Sequence, residues 1–117
     1  MLPADYRLRH PRDFERIYKE GKTLRTALFR LKTRPNGLLQ TRVGIVVPNK
    51  IIKSAVARNR TKRQIRNVFE ELILSLQSGY DIVALAQPGI SEASHAAIKQ
   101  DLVSALSKIR LLQKTHE

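Results

Sequence analysis

The chain of 117 residues contains no cysteine and no tryptophan. Without cysteine there are no disulfides, no thiolate nucleophile and no zinc site built on sulfur. No staple is needed, because a chain of this size buries about two thirds of its unfolded surface on folding. One core in a single domain over residues 1–117 is expected. No apolar run approaches the roughly 20 residues of a bilayer span, and the N-terminus lacks the apolar segment of a secretory signal. The expectation is a soluble, cytoplasmic protein.

Catalytic signatures are missing too. The five glycines are scattered, so no loop is built to cradle phosphates. His10, His95 and His116 have neither metal-ligand spacing nor an acidic neighbour in sequence. Glu70 and Glu71 are adjacent and point to different sides of a helix, which is poor geometry for paired acid–base work. Glu70 reads more simply as an ion-pair partner for Arg66 one turn back. No catalytic residue and no metal ligand is assigned. A nuclease centre assembled from distant residues has no signature to support it.

Acids are scarce where bases are dense. Residues 1–66 hold 18 basic and 4 acidic residues, net +14, and residues 67–117 hold 4 and 6, net −2. A merely soluble surface mixes signs. A concentrated cationic field suggests nucleic acid first and an anionic membrane second. The membrane is the weaker choice, since the most basic helix directs its apolar side chains to a core and carries no Trp.

That helix lies between Ser54 and Leu76. At 3.6 residues per turn Ile65, Val68, Phe69, Leu72, Ile73 and Leu76 form one apolar stripe. Asn59, Lys62, Arg63 and Arg66 flank it, with Arg60 further round the outside. Ser54 is a suitable N-cap. The first turns carry Arg58, Arg60, Lys62 and Arg63 and no acid, against the helix dipole, at about 0.3–1 kcal/mol for each misplaced charge. A local rule broken without local compensation points to a gain elsewhere. An external polyanion would reverse the sign of the whole cluster. A solvated charged face is the plainer alternative.

Read in order, residues 1–10 are basic and irregular, with Pro3, Arg7, Arg9 and His10. Pro11 suits a first helical position. A short helix runs from there to Glu20 with Phe14, Ile17 and Tyr18 in a stripe, and Gly21 sits at its C-terminal cap. For Phe14 and Tyr18 the plain expectation is core packing. Leu24 to Thr33 reads as one strand, with Ala27, Phe29 and Leu31 alternating with Leu28, Arg30 and Lys32. Arg34, Pro35, Asn36 and Gly37 form a turn. Thr41 to Val47 is a second strand, apolar enough to be central. Pro48, Asn49 and Lys50 interrupt the chain before Ile51 and Ile52. Gly79 ends the helical region, and Tyr80 to Ala86 is a strand buried on both faces. Pro88 and Gly89 turn the chain, and Ser91 can cap a last helix with Ile98, Leu102, Ala105, Leu106, Ile109 and Leu112 at helical spacing. The order predicts one α+β sandwich, with helices packed on a sheet.

The run Arg58, Asn59, Arg60, Thr61, Lys62, Arg63, Gln64, Ile65, Arg66 resembles the Arg-Asn-Arg motif of the bacterial ribonuclease P protein subunit. Upstream, Arg42 to Val47 resembles that family's central strand and Lys50 its basic turn. Downstream, Tyr80 to Val83 resembles its last strand. Asp13 to Tyr18 with Gly21 resembles its first helix. The match covers nearly the whole chain in order. It departs before the basic helix, where Ile51 stands for a lysine and Lys53 for a glycine. Tyr18 replaces a common phenylalanine and keeps an aromatic face.

The resemblance implies a four-stranded mixed sheet, completed by a short strand near residues 50–53. It also implies a left-handed βαβ crossover through the basic helix, against the right-handed rule. In that family the RNA subunit cleaves, with bound magnesium ions, and the protein helps to bind precursor transfer RNA through its single-stranded 5′ leader. No cofactor on the protein itself and no protein partner is expected. Phe14 and Tyr18 would then line a leader cleft bordered by Lys32, Asn59, Arg63 and Arg66. Arg58, Arg60 and Lys62 would lie nearer the RNA subunit and the transfer RNA body, and Lys50 and Lys53 would add further RNA contacts. Two other readings stand beside this one. A general RNA-binding or ribosomal protein has the same composition. A basic-helix DNA binder is disfavoured, because a major-groove helix needs its outer face free of sheet packing.

Overall fold

The computed structural model describes residues 4–112, so His116 and Pro3 lie outside the described residues. In the strand β4, Tyr80–Ala86, the side chains of Ile82, Val83, Ala84 and Ala86 are fully buried. A strand apolar on both faces belongs inside a sheet. The sheet has the order β1-β2-β4-β3, with β1 at Lys22–Arg25, β2 at Phe29–Pro35 and β3 at Arg42–Val46. β2 runs antiparallel to β1 and β4, and β3 runs parallel to β4. The helices are α1 at Pro11–Glu20, α2 at Ala55–Leu72 and α3 at His95–Lys108.

Several expectations change. Residues 24–33 are not one strand. Thr26 breaks the run by accepting from Phe29 N at 2.9 Å and donating to Asp101 Oδ2 at 2.6 Å. The result is a β1–β2 hairpin. The fourth strand is therefore β1 and not residues 50–53, which form turn and coil. β3 is an edge strand rather than a central one. Its apolar content is explained by cover from the N-terminal segment, where Leu8 N donates to Val43 O at 2.9 Å. Ser94, not Ser91, caps α3, accepting from Ala97 N at 3.1 Å. Ile109 and Leu112 lie past the end of α3. The basic helix leaves α geometry after Leu72 for a 3-10 turn at Ile73–Ser75. Its cap at Ser54 is as expected, accepting from Ala57 N at 3.2 Å. Gly21 caps α1 by donating to Ile17 O at 2.8 Å, and a Cβ there would meet that same oxygen at 2.5 Å.

Period-two alternation divides the sheet. On one face Phe29, Leu31, Val43, Ile82, Ala84 and Ala86 meet Ile65, Val68 and Phe69 of α2 and Ile98, Leu102 and Leu106 of α3. This is the main core. His95 and Lys99 of α3 reach Glu71 of α2 at 2.9 and 3.0 Å, so His95 gains the acid partner its sequence neighbours lack. Lys99, and then His95, hold the Glu71 carboxyl below its ordinary range. On the other face a smaller cluster joins Ile17 of α1, Leu8 and Val83, with Phe14 and Val46 against it. α1 alone among the three helices shares that cluster, and the interface develops around it.

Candidate nucleic-acid interface

The strand register arranges the α1 face of the sheet in three rows. The first is Arg34–Asp81–Arg42, the second Thr23–Lys32–Val83–Gly44 and the third Arg25–Arg30–Leu85–Val46. Arginine or lysine occurs in each row, and its partners differ from row to row.

In the first row every arginine has an acid. Arg42 Nε and Nη2 donate to the two oxygens of Asp81 at 2.9 and 2.8 Å. This is the bidentate geometry that makes such pairs strong. Arg42 Nη1 reaches Asp13 of α1 at 3.3 Å. Asp81 is 2% exposed and also accepts from Asn36 Nδ2 at 2.8 Å. The Asp81 hydrogen bond raises the Arg42 guanidinium further above its ordinary value, against the effect of burial. Arg34 Nε donates to Glu20 Oε1 at the other end of α1, at 2.9 Å. Both ends of α1 are thus tied to this row.

In the second row α1 supplies its stripe. Ile17 is fully buried with Val83. Phe14 stands on Gly44, where a Cβ would lie 2.6 Å from the ring's Cζ, so only glycine lets the ring down onto the strand. Tyr18 follows one turn later, its ring centroid 6.4 Å from that of Phe14 and tilted by 42°. Lys32 Nζ lies 5.8 Å from the Tyr18 centroid, within cation–π range. Tyr18 is 43% exposed, so core packing does not account for it. Partial burial raises its hydroxyl pKa.

The third row keeps one link to the α1 cluster, Val46, which packs against Leu8, Ile17 and Val83. Arg25 is exposed, and Arg30, Leu85 and Val46 are half-buried. No carboxylate pairs with Arg25 or Arg30 among the described residues, and Arg30 Nε is buried with no acceptor. An unmet buried donor costs about 1–3 kcal/mol.

α2 borders this surface at the β3 edge. A pocket of about 210 Å³ is lined by Arg7, Arg9, Phe14, Gly44, Ile45 and Arg66, with Leu8 and Val43. It joins the α1 aromatic to the α2 cation. Arg63, Lys62 and Asn59 lie on the same flank as Arg66, three, four and seven residues back. Asn59, Arg60 and Arg63 are exposed and Lys62 is half-buried. No acid stands in the first turn of α2. Arg58 has a different task. Its Nη1 donates to Asn49 Oδ1 at 3.1 Å, Ile52 O at 3.1 Å and Lys53 O at 2.9 Å, tying the preceding turn to the helix. Lys50 and Lys53 are exposed on that turn.

The structure therefore brings Phe14, Tyr18 and Lys32 together and joins Arg66 to Phe14. Asn59 and Arg63 extend the α2 flank, while Arg60 lies outside it. Arg7, Arg9, Arg25 and Arg30 belong to the same surface and were missed from the sequence. The signal for Arg30 was present, since Arg30, Lys32 and Arg34 alternate along one strand face. Among the described residues no three His, Asp or Glu side chains converge to hold a metal ion. No helix among them is long and apolar enough to cross a membrane.

Comparison with known proteins agrees with this geometry. The sequence model of the Ribonuclease P family matches residues 2–110. The ribonuclease P protein component of Pseudanabaena sp. is 37% identical over 113 residues, covering 96% of this chain and 97% of the relative. The Staphylococcus aureus RNase P protein superposes with a TM-score of 0.82 at 29% identity, over 92% of this chain and 98% of that one. The Thermotoga maritima RNase P protein gives 0.80 at 35% identity, over 89% and 97%. A match of this extent in sequence and in fold has one reading: the chain belongs to the ribonuclease P protein family.

Proposed function

We propose that the chain acts as the protein component of ribonuclease P in the cytoplasm, assembling with a catalytic RNA subunit and binding precursor transfer RNA during removal of its 5′ leader. The reaction is hydrolysis of one phosphodiester bond. The RNA subunit carries the chemistry and its magnesium ions, and among the described residues no three His, Asp or Glu side chains gather to hold a metal ion on the protein. The protein binds and positions.

The observation that carries this reading is the Phe14–Tyr18 pair at the mouth of a basic cleft, with Lys32 on one side and Arg66 on the other. Flat π faces bordered by cations suit unstacked bases on a phosphate backbone, independently of sequence. Asn59, Arg63 and Arg66 border the leader's path. Arg60 and Lys62, with Lys50 and Lys53 on the turn, face the RNA subunit and the transfer RNA body. Arg58 supports that surface by holding the turn in place. A general RNA-binding role is less favoured, since the family match spans the whole fold.

The test is reconstitution. The chain, mixed with a catalytic RNA subunit and precursor transfer RNA, should restore 5′ maturation at magnesium concentrations where the RNA alone is inactive. The purified chain alone should not cleave. Cleavage by the chain alone, abolished by Glu70→Gln, would contradict the proposal.

A further inference from the structure

The third row of the sheet contains an electrostatic conflict. Arg25 and Arg30 stand directly opposite each other on antiparallel strands, an arrangement that is destabilising for like charges. Among the described residues no carboxylate neutralises either one, and Arg30 Nε is buried without an acceptor. Charges on edge strands discourage sheet-to-sheet aggregation, which is sufficient reason for Arg25 on β1. It does not explain Arg30, because β2 lies between β1 and β4. The first row shows that this sheet supplies acids to its arginines where the fold uses them.

We propose that Arg30, with Arg25 beside it, holds a backbone phosphate of single-stranded RNA on this open row, one step beyond the aromatic pair. The proposal rests on the reading of the Phe14–Tyr18 cleft as the leader's path. Lys32 and Arg30 are two residues apart on one strand face, about 6.8 Å at strand rise. The cationic floor therefore continues from the second row into the third without a gap. A guanidinium offers five N–H donors in a planar fork that matches phosphate oxygens. A phosphate there would neutralise the arginine pair through the outer nitrogens of the two guanidinium groups. Leu85 and Val46 complete the row as half-buried apolar floor, and the leader would run across all four strands.

The experiment uses the assembled ribonucleoprotein and precursor transfer RNAs whose leaders lengthen in single-nucleotide steps. Affinity is measured for wild type, Arg30→Met, Arg30→Lys and Phe14→Leu. Wild-type affinity should climb with leader length and level off. Arg30→Met should follow wild type for short leaders and level off earlier, about tenfold weaker at the plateau. Its log K against log salt should be shallower by about 0.7, the share of one phosphate on a single strand. Arg30→Lys should recover the slope and only part of the affinity, because a point charge replaces a fork. Should Arg30→Met fail to fold, Arg30→Lys carries the same test through a loss confined to long leaders. Arg30→Met superimposing on wild type at every length overturns the proposal, as does an equal loss that includes leaderless transfer RNA. If Phe14→Leu loses leader affinity while Arg30→Met does not, the Arg30 step alone falls. If wild type gains nothing from a leader, the cleft reading falls and this step with it.

Discussion

Two ends of one sheet face use the same residue type in opposite ways. At the first row Arg34 and Arg42 are each held by acids, and Asp81 beneath them is buried. At the third row Arg25 and Arg30 face each other with no acid between them among the described residues. α1 separates the two, its terminal carboxylates fastening to the first row and its aromatics turning toward the second. The comparison teaches that charge alone does not mark a binding residue. Compensation does: a cation whose donors are met within the chain serves the fold, and one whose donors are not is left for a ligand. α2 repeats the lesson on a smaller scale, with Arg58 engaged by the preceding turn and Arg60, two residues on, unpaired among the described residues.

The comparison breaks most visibly at the paired end. Arg42→Ala leaves Asp81 buried with only Asn36 to satisfy it, and should lower the unfolding free energy by about 3 kcal/mol. Urea titration reads this, and the salt dependence of RNA binding for the folded fraction should be unchanged. Next is the contact between sheet and aromatic. Gly44→Ala places a methyl group against Phe14 and should destabilise the fold by about 1–3 kcal/mol, while also displacing the ring from the cleft. Thermal unfolding and leader affinity should therefore fall together. On α2, Arg58→Ala should lose about 1 kcal/mol of stability through the freed turn carbonyls. Arg60→Ala and Arg63→Ala should stay within about 0.5 kcal/mol of wild type. Each should flatten log K against log salt by about 0.7–0.9. Equal stability loss in Arg58→Ala and Arg60→Ala would erase the distinction between paired and unpaired cations.

Much of this was legible in the sequence, for physical reasons that also explain what was not. The α2 stripe and its Ser54 cap are local features, set by periodicity and one side-chain bond. β4 was readable as doubly buried because its apolar run has no alternation. The break at Thr26 was not readable, since its cause is Asp101, 75 residues away. The edge position of β3 was hidden because cover from Leu8 allows it an interior composition. The fate of each arginine depended on cross-strand register. Arg30 and Arg34 look alike on β2, and only the positions of Glu20 and of the opposing Arg25 separate them.

The central claim is that the second and third rows, with the α2 flank, form a path for single-stranded RNA, whereas the first row holds the fold. Phe14→Leu addresses it most directly, because leucine keeps apolar bulk on Gly44 and removes the flat face. The measurement is the ratio of affinities for precursor and mature transfer RNA in the assembled ribonucleoprotein, with the variant's folding confirmed by circular dichroism. Base stacking contributes about 1–3 kcal/mol per base, so the ratio should drop by about fivefold to more than a hundredfold. Mature transfer RNA should bind nearly as before. An equal loss for both ligands would contradict the account, because Phe14 would then act through the fold or the RNA subunit and not on the leader.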